Sequence, residues 1–346
     1  MPSLTILGSN PTAHVLRLAC IQNAQIDISQ VMIDELPAAP ALTLPANLSR
    51  IICAVGSQNQ LQSLSIQPDR KLFRLAKSGY LITEMPLGDF YSARYGAGLY
   101  NLSEKNLQDV LCSQTNTDFL KPLSHINTEK DLVAITPQIA SKTMAIEDFS
   151  VSYVELPFDK KNARSNTTWI GNQQIAWQFS TPEATHIIFL IRNGQQLRFD
   201  DWHAELQDAA RNAVPLAKPD YDMQPKYDIS TKTRTVFLGE ASHPYNPLFP
   251  ESRHIGVEDS WVLSRMLENH DESIDEALSD YQKYRVARLN RVRRHENNEF
   301  IKLSAGRRTS RALQHLKLAM STRFLPEIYM SSQDWFHGFD CLRGFR

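Results

Sequence analysis

The strongest constraint on this chain lies at its start. The apolar run Leu4 to Leu7 stops at Gly8, and a helical pattern follows from Thr12 to about Asn23, with His14, Val15, Leu18 and Ala19 on related faces. A second apolar run occupies Ile26 to Ile33. Strand, tight turn, helix and strand in about 30 residues make a βαβ unit, and the right-handed crossover sets the two strands as parallel neighbours.

The character of the chain then changes twice. Leu36 to Pro45 is rich in Pro and Ala and reads as a loop, and a helix-like segment from about Ala46 to Val55 closes that region. Val151 to Glu155 opens a β-rich stretch, and Ile175 to Phe179 alternates as a half-buried antiparallel strand does. His186 to Ile191 runs into the turn signal Asn193-Gly194. A helix is expected from Arg198 to Val214, with Trp202, Leu206 and Ala209 on one side. Arg234 to Leu238 is a further strand, and helices follow from near Val257, from Ile274 to about Leu303 and around Ala312 to Met320. A chain that leaves a parallel-sheet region for a β-rich one and returns builds two interleaved lobes, here α/β (α+β overall) with C-terminal helices.

Composition narrows the function. The 346 residues suffice for one large interleaved domain or two to three lobes, and 42% hydrophobic with 22% charged residues is ordinary for a soluble globular protein. A net charge of −1 provides no field to draw the whole molecule to nucleic acid or anionic lipid. No apolar stretch approaches the roughly 18–20 residues of a membrane span. Met1-Pro2-Ser3 lacks the basic start of a signal peptide, and Cys20, Cys53, Cys112 and Cys341 are scattered without metal-ligand spacing. A reduced, cytoplasmic setting is the expectation.

Three segments in order carry a family resemblance. Ile6-Leu7-Gly8-Ser9-Asn10-Pro11-Thr12-Ala13 stands in the place of a G-x-G-x-x-G dinucleotide fingerprint. Asp131 to Lys142 lines up with a strand-plus-turn segment D-L-V-V-G-A-D-G-x-x-S-x. Gly239-Glu240-Ala241-Ser242-His243-Pro244, through Pro247 to Glu258-Asp259-Ser260, looks like G-D-A-A-H-P and the E-D-A helix behind it. Tyr281, Arg285, Arg288 and Arg291, and the ending Phe336-His337-Gly338-Phe339-Asp340, agree. The chain thus resembles class A flavoprotein monooxygenases, the aromatic hydroxylases that include salicylate and ubiquinone-pathway enzymes. The resemblance implies a Rossmann-like FAD-binding lobe (residues 1–75, 101–145 and 233–270), a β-sheet substrate lobe (76–100 and 146–232) and a C-terminal helical region (271–346).

It also implies which residues would hold FAD: Gly8, Asn10, Ala13, Asp34, Gly239, Glu240 and Pro247. In such a turn the first Gly permits the tight bend, the second lets the backbone approach the diphosphate, and the helix N-terminus supplies partial positive charge. The pattern departs from the family's at several of these places. Asn10 projects a side chain toward the diphosphate position, although Asn tolerates a positive φ. Met32 competes with Asp34 and Glu35 for the ribose position, and Glu104 replaces the Arg of R-x-x-L. Pro137-Gln138 replaces Asp-Gly, and the stretch between Leu111 and Asp131 is shorter than the family's β-meander. Glu240 is one methylene longer than Asp, and Pro250-Glu251-Ser252-Arg253-His254 takes the place of a glycine-rich turn facing the flavin.

Two functional expectations follow. The first is a flavoprotein monooxygenase in which FAD, with NAD(P)H as co-substrate and O₂, hydroxylates or epoxidises an aromatic or polyketide-like small molecule. The second is a pseudoenzyme of the same fold that has lost FAD and acts as a binding or partner protein. A third, chemistry in the cleft without flavin, requires an acid–base pair that the sequence does not reveal, and no catalytic side chain is assigned. Tyr153, Trp177 and Phe189 are the expected roof of an aromatic pocket. Asp200-Asp201 is expected to begin a helix rather than bind metal, and His243 to serve as a local hydrogen-bonding residue. The eleven Lys or Arg from Lys283 to Lys317, against two Glu, read as a charged structural face.

Overall fold

The computed structural model describes residues 3–24, 26–31, 41–112, 132–136, 149–192, 197–215, 234–243, 249–296, 308–324 and 326–344. The opening βαβ unit forms as expected: β1 (Ser3–Leu7) and β2 (Asp27–Val31) pair in parallel, Leu4 opposite Ile28, with α1 (Pro11–Asn23) as the crossover. Leu4 and Ile6 are fully buried, and α1 is buried along Pro11 to Cys20. Pro11 opens the helix, where a missing N–H leaves no bond unmade.

The expected loop of 36–45 holds a strand. β3 (Ala41–Leu44) precedes α2 (Ala46–Ile52) and α3 (Gln58–Ser63), and alternating Ala-Leu-Thr-Leu lets it pair before Pro45 ends it. Two unforeseen strands follow, β4 (Arg70–Leu75) and β5 (Leu81–Pro86), then α4 (Gly88–Tyr95), β6 (Tyr100–Ser103), α5 (Glu104–Cys112) and β7 (Leu132–Ile135). The β-rich stretch supplies β8 (Phe149–Pro157), β9 (Ser165–Ile170), β10 (Gln174–Ser180) and β11 (Ala184–Arg192). α6 (Ala204–Asn212), β12 (Val214–Pro215), β13 (Thr235–Phe237), α7 (Gly256–Asn269) and α8 (Ile274–Glu296) come next. Three further helices span Arg308–Phe324, Pro326–Ser331 and Asp334–His337.

Strands β13, β7, β1 and β2 lie side by side, all parallel. β12, β8, β11, β10, β9, β4 and β5 form a second sheet, antiparallel except where β4 runs parallel to β9. Arg70 to Leu75 therefore pairs within the larger sheet, on the far side of the boundary expected at residue 75. β3 and β6 make a separate antiparallel pair.

The helix expected from Arg198 to Val214 is shorter. Asp200 and Asp201 sit in a single 3₁₀ turn, Phe199–Asp201, and do not begin the helix. Trp202 is extended so that its ring can bury against Phe189, and His203 caps α6 by accepting from Glu205 N at 3.4 Å. Trp202, Leu206 and Ala209 then cover one face of the larger sheet as their spacing predicts. Among the described residues no helix is long and apolar enough to cross a membrane.

A buried ion network joins the C-terminal helices to the parallel sheet. The Arg285 guanidinium donates from Nε to Asp259 Oδ1 at 2.6 Å and from Nη1 to Glu258 Oε2 at 2.8 Å. Arg288 grips both oxygens of Glu258, at 2.9 and 3.1 Å, and Asn47 Nδ2 donates to Oε1 at 2.8 Å. Asp259 Oδ2 accepts from Gly239 N at 2.8 Å and lies 2.8 Å from His243 Nε2. Glu258 and Asp259 are fully buried. Two of the basic residues expected on a charged face are thus internal ties, and His243 is the hydrogen-bonding residue its position suggests.

Candidate functional site

Gly8 ends β1 at φ 131°, in the region that favours glycine, and its carbonyl accepts from Gln30 Nε2 at 2.8 Å. Asn10 does not take the positive φ it tolerates: at φ −78° and ψ 170° it is extended and caps α1. Its Oδ1 accepts from Ala13 N at 3.0 Å and its Nδ2 donates to Thr136 O at 2.9 Å. The amide that a helix N-terminus offers to an anion is thereby bound by the chain's own side chain. Ala13 is fully buried behind it.

The third motif arrives beside this turn. Gly239 has φ 55°, and a Cβ on Gly256 would stand 2.4 Å from Thr12 Oγ1 and 2.5 Å from Gly239 Cα. Only glycine lets α1, the 239 turn and the start of α7 come this close. Ser260 Oγ, on the next turn of α7, donates to Thr12 O at 2.8 Å. Glu240 is half-buried in the short turn Gly239–Ala241. Of the other expected cofactor residues, Asp34 and Pro247 lie outside the described residues, as do Pro137-Gln138 and Asn193-Gly194.

Glu104, the first residue of α5, reaches the segment that replaces the glycine-rich turn. Its Oε1 lies 3.1 Å from Arg253 Nε and 2.8 Å from His254 Nε2, and all three side chains are largely buried. Burial pushes the Glu104 carboxyl up, but the adjoining Arg253 and His254 outweigh it and hold it below its ordinary value. The acid-for-Arg exchange and the basic turn are therefore two halves of one ion cluster. His254 pairs with Glu104 rather than with Glu258 or Asp259.

Next to the cluster lies a cavity of about 100 Å³ between the larger sheet and the 249–253 turn. Phe73, Trp177, Phe179 and Ile188 line its sheet side. Of the expected roof, Trp177 lines the cavity, Tyr153 packs beside Phe179 and Ile188, and Phe189 points through the opposite face against Trp202. The strand period of two sends Ile188 and Phe189 to different sides.

The sequence gave no warning of the cavity's polar end. Glu251 Oε2 is 3.2 Å from His337 Nε2, Glu251 Oε1 is 3.7 Å from Lys71 Nζ, and His337 Nδ1 is 2.7 Å from Tyr91 Oη. These residues are far apart in the chain, so only the pairing of β4 into the larger sheet and the docking of the C-terminal helices bring them together. Burial raises the Glu251 carboxyl, but Lys71 and His337 outweigh it and bring it to about 2.

A pH prediction arises here. Glu251, Glu258 and Asp259 all have depressed folded-state values: burial opposes ionisation, and Arg288 and Arg285 for Glu258, Arg285 and His243 for Asp259, more than reverse it. Their stabilising contribution is complete above the unfolded carboxylate range near pH 4 and is lost as pH falls through the folded values. Tryptophan fluorescence at constant ionic strength should show unfolding that sets in below about pH 4. Unchanged stability to urea between pH 5 and pH 3 would contradict this linkage.

No family model matches the sequence, and no curated protein matches it. The structure, however, is similar to solved proteins along nearly its whole length. HpxO from Klebsiella pneumoniae complexed with FAD matches at TM-score 0.81 and 14% identity, over 99% of this chain and 100% of that one. The p-nitrophenol 4-monooxygenase PnpA from Pseudomonas putida DLL-E4 matches at TM-score 0.72 and 13% identity, over 97% and 98%. A salicylate hydroxylase substrate complex matches at 0.70 and 13%, over 93% and 96%. The fold is that of the FAD-dependent class A monooxygenases.

The residues along the cofactor's path do not fit FAD in this arrangement. The α1 amide is self-capped, the Glu104–Arg253–His254 cluster fills the passage between α5 and the 250–254 turn, and the cavity is smaller than the roughly 150 Å³ that accommodates a single benzene ring.

Proposed function

We propose that this flavin monooxygenase-like chain binds a small aromatic molecule in the cavity beneath its larger sheet and does so without FAD. The observation that carries the reading is the Glu104–Arg253–His254 cluster. A diphosphate entering there would have to displace the carboxylate that neutralises Arg253 and would meet that carboxylate as a like charge. The apolar sheet-side wall with a few convergent polar groups is the chemistry of a small-ligand site. Solved proteins of this fold that hold uric acid or 2-aminobenzoylacetate support the ligand class.

The second expectation from the resemblance, an FAD-dependent monooxygenase using NAD(P)H and acting on an aromatic or polyketide-like substrate, is favoured by one feature. Gly239 keeps its positive φ and its bond to Asp259, so the scaffold behind the cofactor's ribityl position is intact. Absorbance spectra of the purified protein, before and after addition of FAD, separate the two readings. We expect no bound-flavin band and no rise in melting temperature at millimolar FAD, since a ligand selective for the folded state must raise stability. A flavin band that survives gel filtration, followed by NAD(P)H oxidation, would overturn our reading in favour of the monooxygenase.

A further inference from the structure

The polar end of the cavity has a fixed arrangement of donors and acceptors. Tyr91 Oη accepts from Ala46 N at 3.0 Å, so its own hydrogen is available to His337 Nδ1 at 2.7 Å. The ring proton of a neutral His337 then sits on Nε2 and points at Glu251 Oε2, 3.2 Å away. This chain of contacts, drawn from α4, the Asp334–His337 helix and the turn before α7, holds the Glu251 carboxylate in one orientation. Its other oxygen, Oε1, faces Lys71 Nζ across 3.7 Å, an ion pair longer than a direct hydrogen bond. Lys71 belongs to β4 and lies over the Phe73 ring at 5.6 Å from its centre.

An ammonium donor and a carboxylate acceptor therefore stand side by side at the end of a ring-sized apolar cavity. A ligand carboxylate there would be repelled by Glu251, and a ligand ammonium by Lys71. A neutral planar edge that carries one donor next to one acceptor satisfies both, and burying it otherwise would cost unmade hydrogen bonds. Resting on the small-molecule reading above, we infer that the cavity takes a single-ring heteroaromatic lactam, its N–H donating to Glu251 Oε1 and its carbonyl accepting from Lys71 Nζ.

Calorimetric titration with five probes tests the inference: 2-pyridone, 1-methyl-2-pyridone, benzoate, benzylammonium and toluene. 2-Pyridone should bind most tightly, and methylation of its nitrogen should weaken binding at least about tenfold, the worth of a hydrogen bond to a charged group. Lys71→Met should shift the preference toward benzylammonium and Glu251→Gln toward benzoate. The comparison of 2-pyridone with its methyl derivative uses the unaltered protein and so does not depend on either variant folding. Equal binding of those two, or tighter binding of benzoate or benzylammonium by the unaltered protein, overturns the lactam assignment. Toluene binding as well as 2-pyridone does the same while leaving the small-molecule reading intact. Binding of none of the five overturns both.

Discussion

Replacing Arg285 by Met is expected to destabilise the protein by about 3–5 kcal/mol, the cost of removing one partner from a buried ion pair. The guanidinium is fully buried and serves two carboxylates at 2.6 and 2.8 Å. Met roughly preserves the volume but leaves Asp259 with only His243 and the Gly239 amide, and Glu258 with only Arg288 and Asn47. Urea unfolding at pH 7 provides the measurement, and a drop of roughly 5–15 °C in the melting midpoint should accompany it. Arg293→Ala, at an exposed position on the same helix, should change stability by less than about 0.5 kcal/mol. A loss below about 1 kcal/mol for Arg285→Met would mean that the network does not hold the helices to the sheet.

The second large effect concerns Glu104. Glu104→Ala leaves Arg253 and His254 buried together without their carboxylate, and about 2–4 kcal/mol of destabilisation is expected. Arg253→Ala should also destabilise, and the double variant should lose less than the sum of the two by about 1–3 kcal/mol, the coupling of groups in direct contact. Additive losses would show that the cluster is not a unit. Glu104→Arg, the reversion toward the family pattern, adds a third cation to Arg253 and His254. It should be less stable than Glu104→Ala unless Arg253→Ala accompanies it.

Much of the architecture was legible because it is local. The βαβ unit, β8, β10, β11 and α7 follow from periodicity and turn residues within short windows, and these are the elements that a sequence constrains most directly. β4 and β5 were missed because strands with charged residues on one face, Arg70, Lys71 and Arg74 in β4, acquire their identity only from their neighbours in the sheet. The same reason hid the site. Glu104 read as a residue hostile to a diphosphate, and Arg253 as bulk in a flavin-facing turn. That the two neutralise one another is a statement about residues far apart in the chain. Glu251 and His337 read as parts of two separate motifs, and nothing in either window announces that they meet.

The one parallel pairing in the larger sheet has a consequence for how the protein is made. β4 can join that sheet only on β9, and the parallel sheet has β13 as an outer strand beside β7. A ribosome must therefore deliver residue 170 before the hairpin of β4 and β5 gains its neighbour, and residue 237 before the first sheet is complete. Early strands wait with open edges while later ones are synthesised, the situation in which slow, non-local pairing exposes a nascent chain to aggregation. The opening βαβ unit, already compact and largely self-covered, is the part of this chain able to wait.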